Sequence, residues 1–429
     1  LGGAAVALAV FVGFQNSDRI FSSGTDLFDS ENSLVFDGEQ KIAAVADEAF
    51  GSLASQSADV ALSSTAVGRG GGGGVESYLD EGVETKIAPA PDFEIYKYIY
   101  DGPINLPGGS VEVLRRVQNS ASSSSLARQL AQFNFGLLDA GSFQNLEIQN
   151  FSLAEDREFG YSLFVSFDDG SVSINQNWQK WPDPYRDCSA PDCWENLRLN
   201  QSDMLPDSQV ISIADAFVQK FGVNLQNYGA PEIQNNWTLE LARFVGDESD
   251  FYFPESVSVV YPLEIGGRTV FTSGGTPDGI TVTINQRDKK AAGIYGLYAQ
   301  NYEASNYAAV TDENLVREVI ERGGMWGGYF PEGGKIVEVA LGDPEEVLLK
   351  YWNYANGANE ELILPALRFP ILENNPNVYQ TAIVVPLVAE ILAEQNSNQP
   401  ILFEQSAEIQ KIETDTEQNN SRGDDSKKE

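Results

Sequence analysis

The stretch Glu361 to Val385, ELILPALRFPILENNPNVYQTAIVV, constrains most what this chain can fold into. Leu362, Ile363 and Leu364 form an apolar run that meets Pro365, continues through Leu367 and Phe369, and reaches Pro370. An Asn- and Pro-rich loop follows, then a second strand-like run from Tyr379 to Val385. The pattern predicts strand, turn and strand. The prolines are expected at an edge or bulge, because proline offers no N–H to a ladder.

Other sheet signals begin near Phe93. FEIYKYIY and SVEVLRRV read as strands on either side of the turn-rich DGPINLPGG. Leu126, Leu130, Phe133 and Leu137 fall on one face of a predicted helix, Leu126 to Asp139. Tyr161 to Asn175, YSLFVSFDDGSVSIN, is the clearest hairpin, with Asp169-Gly170 as a type I′ turn signal.

From Pro206 an order of elements occurs twice. PDSQVISIADAFVQKFG predicts a helix with an Asp/Ser cap, a stripe of Val210, Ile213, Phe217 and Phe221, and a stop at Gly222. Strands are expected next in WTLELARFV, in SVSVVYPLEIGGRTVF with Gly266-Gly267 at the turn, and in GITVTIN. Near Ala309 the order recurs. VTDENLVREVIERGG is expected to be capped by Thr311, to bury Leu315, Val319 and Ile320, and to stop at Gly323-Gly324. IVEVAL, EVLLKYWNY and the opening hairpin follow as strands. Helix then antiparallel meander, twice, predicts an α+β fold of tandem sheet-plus-helix units.

The two ends read differently. Leu1 to Phe14, LGGAAVALAVFVGF, is uncharged and apolar but would span only about 21 Å as a helix, against a hydrocarbon core of about 30 Å. It reads as the distal part of a membrane-spanning helix, with a signal-peptide core as the rival. Residues 15–92 are rich in Ser, Gly, Ala and Asp, include five glycines from Gly70 to Gly74, and read as a flexible stalk. That glycine run lacks GK[ST] and a preceding strand, so it is no phosphate loop. The resulting division is 1–14 partial transmembrane helix, 15–92 stalk, 93–200 N-terminal α+β region, 201–308 and 309–392 helix-plus-meander units, and 393–429 disordered polar tail.

Chemistry is bounded by what the chain contains. Its 63 acidic against 27 basic residues give a formal charge of −36. Such a surface repels phosphate backbones, so no nucleic-acid partner is expected. The two cysteines, Cys188 and Cys193 in DCSAPDCW, fit a small-loop disulfide formed in an oxidising compartment. Two thiolates without histidine make a poor zinc site, and no metal or cofactor is expected. Trp178, Trp181, Tyr185 and Trp194 surround this loop as a candidate partner or ligand surface, with a small packed core as the plainer reading. Asp183, Asp187 and Asp192 could offer hard oxygen ligands to calcium but lack the DxDxDG pattern.

Zero histidines exclude Ser-His-Asp, Cys-His and HExxH systems. Carboxylate chemistry remains open through Asp168, Asp169, Glu240, Asp247, Glu248, Asp250 and Glu255. Acids at useful spacings are expected by chance in so acidic a chain. No catalytic residue is therefore assigned.

SDMLPDSQVISIADAFVQKFG resembles the helix of PepSY-type modules, and YPLEIGGRTVF the hairpin they place after it. VEVALGDPEEVLLKYWNYANGANEELILPALRFPI resembles the closing strands of YycI-like extracytoplasmic regulators. The resemblance covers roughly residues 206–385. It implies a membrane-anchored, non-catalytic domain outside the cytoplasm that modulates an envelope or membrane protein, and it carries over no catalytic residue. Two alternatives stand beside this expectation: a carboxylate-dependent cell-surface glycan hydrolase, and an adhesin or envelope-spacing protein.

Overall fold

In a computed structural model, the described residues are 40–54, 94–118, 150–167, 169–186, 188–189, 193–234, 237–247, 250–325, 335–354, 360–372, 378 and 380–397. Their first strands are β1 (Lys41–Ala44), β2 (Glu94–Ile99), β3 (Ser110–Arg116), β4 (Asn150–Ala154), β5 (Tyr161–Ser166) and β6 (Ser171–Gln176). Helix α1 (Asp207–Lys220), β7 (Glu232–Gln234) and helix α2 (Trp237–Arg243) come next. They are followed by β8 (Ser256–Pro262), β9 (Glu264–Ile265), β10 (Arg268–Phe271), β11 (Gly279–Asn285), β12 (Lys290–Tyr298) and β13 (Asn301–Ala308). Helix α3 (Glu313–Glu321), β14 (Lys335–Ala340), β15 (Glu345–Asn353), β16 (Glu360–Pro370), β17 (Ala382–Pro386) and helix α4 (Ala389–Ser397) complete the order. The class is mixed α+β, mostly sheet with few helices.

Two compact units divide the chain, the first within residues 1–45, 114–270 and 277–304, the second within 46–113, 271–276 and 305–429. In the first, seven strands form a sheet in the order β4-β5-β6-β12-β11-β8-β7, antiparallel at every pairing. Strict alternation makes one face apolar: Ile174, Ile294, Val282 and Val259 point the same way and pack with Val210, Ala214, Phe217 and Val218 of α1. A single helix thus covers one side of the sheet. Gly222 ends α1 at φ 64°, as the sequence indicates.

Several expectations are corrected here. Pro206 occupies the cap of α1 without a side-chain bond, and Asp207 is instead the first helical residue, where its charge suits the helix N-terminus. Phe221 lies one residue past the helix and is half-exposed. WTLELARFV is not a strand. Its first seven residues form α2, because Leu, Glu, Ala and Arg favour helix once no neighbouring strand takes the segment. The division at residue 200 fails as well, since β6 pairs directly with β12.

The second unit holds the opening hairpin. β16 pairs with β15 from Glu345↔Arg368 to Asn353↔Glu360, and with β17 from Ala366↔Pro386 to Pro370↔Ala382. Pro365 and Pro370 therefore lie in a strand paired on both sides, not at an edge. Each serves as an acceptor: the Pro365 carbonyl takes Leu387 N–H at 2.9 Å, and the Pro370 carbonyl takes Gly342 N–H at 2.7 Å. β2 runs parallel to β14, a pairing that an all-antiparallel meander does not anticipate. Val316, Val319 and Ile320 of α3 pack with Tyr98, Phe369, Ile383 and Leu392. The cap of α3 is Asp312, whose carboxylate accepts Asn314 N–H, rather than Thr311.

Part of the expected stalk is folded. β1 pairs parallel with residues 301–304, and within the second unit Phe50 and Leu53 are buried, with Phe50 N–H donated to Tyr307 Oη at 2.9 Å. The apolar residues of KIAAVADEAFGSL explain this. The tail expected from 393 likewise begins inside α4, which Ile391 and Leu392 anchor in the core. The partial transmembrane helix, the Leu126–Asp139 helix and the tail beyond 397 lie outside the described residues. Among the described residues no helix is long and apolar enough to cross a membrane.

Candidate functional site

The cysteine loop holds its expected disulfide: Cys188 and Cys193 are bonded, with Cα atoms 5.7 Å apart. The aromatic residues around it do not form one platform. Trp181 is buried, donates its Nε1–H to the Gly160 carbonyl at 2.8 Å, and meets Phe159 and Tyr161 edge-on. It is a satellite core residue, as aromatics beside a bridge commonly are. Trp178 points outward at 75% exposure. The side chain of Trp194 lies outside the described residues.

Tyr185 belongs to a polar clasp. Its hydroxyl donates to Glu255 Oε1, and Arg287 donates to that same oxygen at 2.8 Å, to Tyr185 Oη at 3.1 Å and to the Leu197 carbonyl at 2.5 Å. Burial, then the bond to Glu255 and its charge, raise the Tyr185 pKa above its ordinary value. Glu255 is thus a paired, hydrogen-bonded carboxylate that ties the disulfide loop to the sheet. Asp288 lies near it, its pKa raised first by burial and also by the Glu255 charge, against the lowering charges of Lys290 and Arg287.

The other acids have local roles. Asp169 closes the β5–β6 turn by accepting Ser171 N–H and Oγ–H. Burial raises its pKa, but hydrogen bonds from Ser166 and Ser171 and the charge of Arg116 outweigh burial and hold it below the ordinary value. Asp183 accepts Tyr185 N–H at 3.0 Å in the same manner. Asp250 N–H bonds the Asp247 carbonyl in a turn, and Glu240 is exposed on α2. Asp168, Asp187, Asp192 and Glu248 lie outside the described residues. No group of three or more metal-ligating side chains occurs among the described residues.

A surface that the sequence did not single out lies on the seven-stranded sheet, on the face away from α1. Register places Ala154, Ser162, Asn175, Gly293, Thr283, Ser258 and Gln234 in one row across all seven strands. A second row runs Ser152, Phe164 and Ser173, with Tyr295 and Thr281 beyond them, and ends at the buried Val260 and at Glu232 on the edge strand. Between Ile294 and Leu297 the β6–β12 register shifts, and at this bulge Gly296 takes φ 79° beside Tyr295. Bulges commonly re-aim a side chain, and Tyr295 is left 45% exposed. Phe164 is also exposed. Of these fourteen residues only Glu232, at the sheet edge, is charged, in a chain carrying −36. The signal was present in the sequence as SVSIN, SVSVV and TVTIN, where Ser or Thr alternates with a β-branched residue.

Comparison with known proteins gives little. No family model and no curated relative matches the chain. Among solved structures, the Bacillus megaterium YpeB C-terminal domain aligns at 11% identity and a TM-score of 0.24, over 62% of this chain and 94% of that one.

Proposed function

We propose that this chain is a non-catalytic interaction module that works outside the cytoplasm on a component of the cell envelope, through the face of its seven-stranded sheet. The observation that carries this reading is the composition of that face: two exposed aromatics among Ser, Thr and Asn, with one charge in its two rows, Glu232 at the edge, on an otherwise strongly acidic protein. Solubility alone would favour acids there as elsewhere. The Cys188–Cys193 disulfide supports an oxidising compartment. The PepSY-like helix and hairpin patterns support a tandem regulatory architecture, and the apolar start of the chain supports a membrane anchor.

The test compares the chain with a Thr283→Arg variant, which puts a long cation in the middle of the face. Both are immobilised and exposed to solubilised native envelope. The reading expects a component retained by the unaltered chain and lost by the variant, with melting temperatures equal. Retention of nothing, or identical retention by both, would overturn it.

A further inference from the structure

We infer that the open face of the seven-stranded sheet binds an uncharged polysaccharide chain; this rests on the reading of that face as the interaction surface. Charge narrows the ligand first. Nucleic acids and anionic polysaccharides are repelled by a protein of −36, and a cationic partner would find a single carboxylate in the two rows, Glu232 on the edge strand β7. A neutral ligand remains.

The chemistry of the rows narrows it further. Ser and Thr hydroxyls both donate and accept, and the Asn175 amide, whose Nδ2 donates to Ser173 Oγ at 3.2 Å, adds a carbonyl acceptor. Among the described residues, no side-chain hydrogen bond occupies the hydroxyls of Ser162, Thr283 or Ser258. These groups match a ligand that is itself dense in hydroxyls. Protein interface cores share the aromatics, Tyr and Phe included, but are depleted in Ser, which holds four positions of the two rows.

Phe164 and Tyr295 supply the remaining element. They stand two strands apart, about 10 Å at ordinary strand spacing, with Ser173 on the strand between. A pyranose ring has an apolar C–H face and a rim of hydroxyls. Two exposed aromatic faces spaced along a hydroxyl-lined row fit successive rings of an extended chain, the rings stacking and the rims bonding to Ser and Thr. The bulge that turns Tyr295 outward gives the row its second ring.

The test is native gel electrophoresis of the whole chain through soluble β-1,3-glucan, galactomannan and dextran, with retention on chitin and cellulose, and alginate as the anionic comparator. At least one neutral polymer should retard or retain the protein, and alginate should not. Phe164→Ala and Tyr295→Ala, both at exposed positions, should each weaken binding about threefold to tenfold, the range expected from losing one aromatic stack. No interaction with any of the five neutral polymers, stronger retardation by alginate, or unchanged binding in the double variant would overturn the inference. Should Thr283→Arg lose an envelope protein while no neutral polymer binds, the interaction module stands and the glycan assignment falls.

Discussion

The Tyr261 hydroxyl on β8 donates to the Asp215 carboxylate on α1 across 2.7 Å, so a polar bond reinforces the apolar packing of that helix on its sheet. Tyr261 is buried to 1% exposure, whereas Asp215 stands at the solvent edge. The tyrosine therefore passes through the apolar layer and reaches its partner at the rim. This arrangement fixes which face α1 covers, and with it which face stays open.

Removing that hydroxyl should show in stability and in its pH dependence. Tyr261→Phe is expected to cost about 1–2 kcal/mol, the usual range for a hydrogen bond to a charged acceptor, lowered by solvent screening at Asp215. Burial, then the Asp215 bond and charge, push the Tyr261 pKa far above 10.0. A raised pKa means stability that is fully present below 10.0 and is lost as pH rises beyond it. Denaturant melts of the variant should consequently lose less stability between pH 9 and 11 than those of the unaltered protein. An equal alkaline loss would show that Tyr261 does not carry it.

The disulfide loop offers a second test. Its cysteines are five residues apart, so closing so short a loop is worth about 2 kcal/mol in the chain-entropy treatment. Reduction should lower stability by up to that amount. It should also free Tyr185, whose bond to Glu255 joins the loop to the sheet. Tyrosine absorbance titration would then find a Tyr185 pKa nearer its ordinary value after reduction. Unchanged titration would mean that the clasp holds the loop without the bridge.

How far the sequence foretold this fold depended on whether the signal was local. The hairpin at Asp169-Gly170, the glycine stops at Gly222 and Gly323-Gly324, and the turn at Gly266-Gly267 all depend on residues close in sequence, and all appear. The first hairpin, however, turns between Ser166 and Ser171 with only Gly170 of the pair at positive φ, not as a two-residue type I′ turn. Pairings between distant segments left no such mark. β2 with β14, and β6 with β12, bring together stretches more than 100 residues apart. β12 itself, KAAGIYGLY, carries two alanines and two glycines and does not read as a strand until β6 and β11 flank it. The open face was hidden for the same reason: each strand shows its alternation, but only register shows that the Ser and Thr positions line up. The aromatic residues near the cysteines were conspicuous in sequence, yet Trp181 proved to be packing.

Arg317 gives a prediction in the second unit. From α3 it donates to the carbonyls of Tyr100 at 2.7 Å and Gly102 at 2.8 Å, while pairing with Glu313 one turn back. One guanidinium fork therefore holds the loop after β2 against the helix. Arg317→Ala is expected to destabilise by about 2 kcal/mol, as loss of charge-assisted bonds to backbone usually does. Arg317→Lys should recover little, because an ammonium cannot reach two carbonyls with the same planar fork. Full rescue by lysine in thermal melts would show that charge alone matters there.

Gly296 decides whether the open face depends on its bulge. At φ 79° it holds a backbone conformation that side chains rarely adopt, and a Cβ there would come within 2.4 Å of the Gly279 carbonyl oxygen. Gly296→Ala should thus cost more than about 1 kcal/mol, since strain and clash act together. The β11–β12 pairing must shift to relieve the contact, and Thr281↔Tyr295 is the pair nearest to it. Tyr295 would then turn from its outward position. Its solvent accessibility, read by chemical modification or by proton chemical shifts, should fall in the variant while Phe164, two strands away, keeps its own. If both rings remain as accessible as before, Tyr295 owes its position to the strand and not to the bulge.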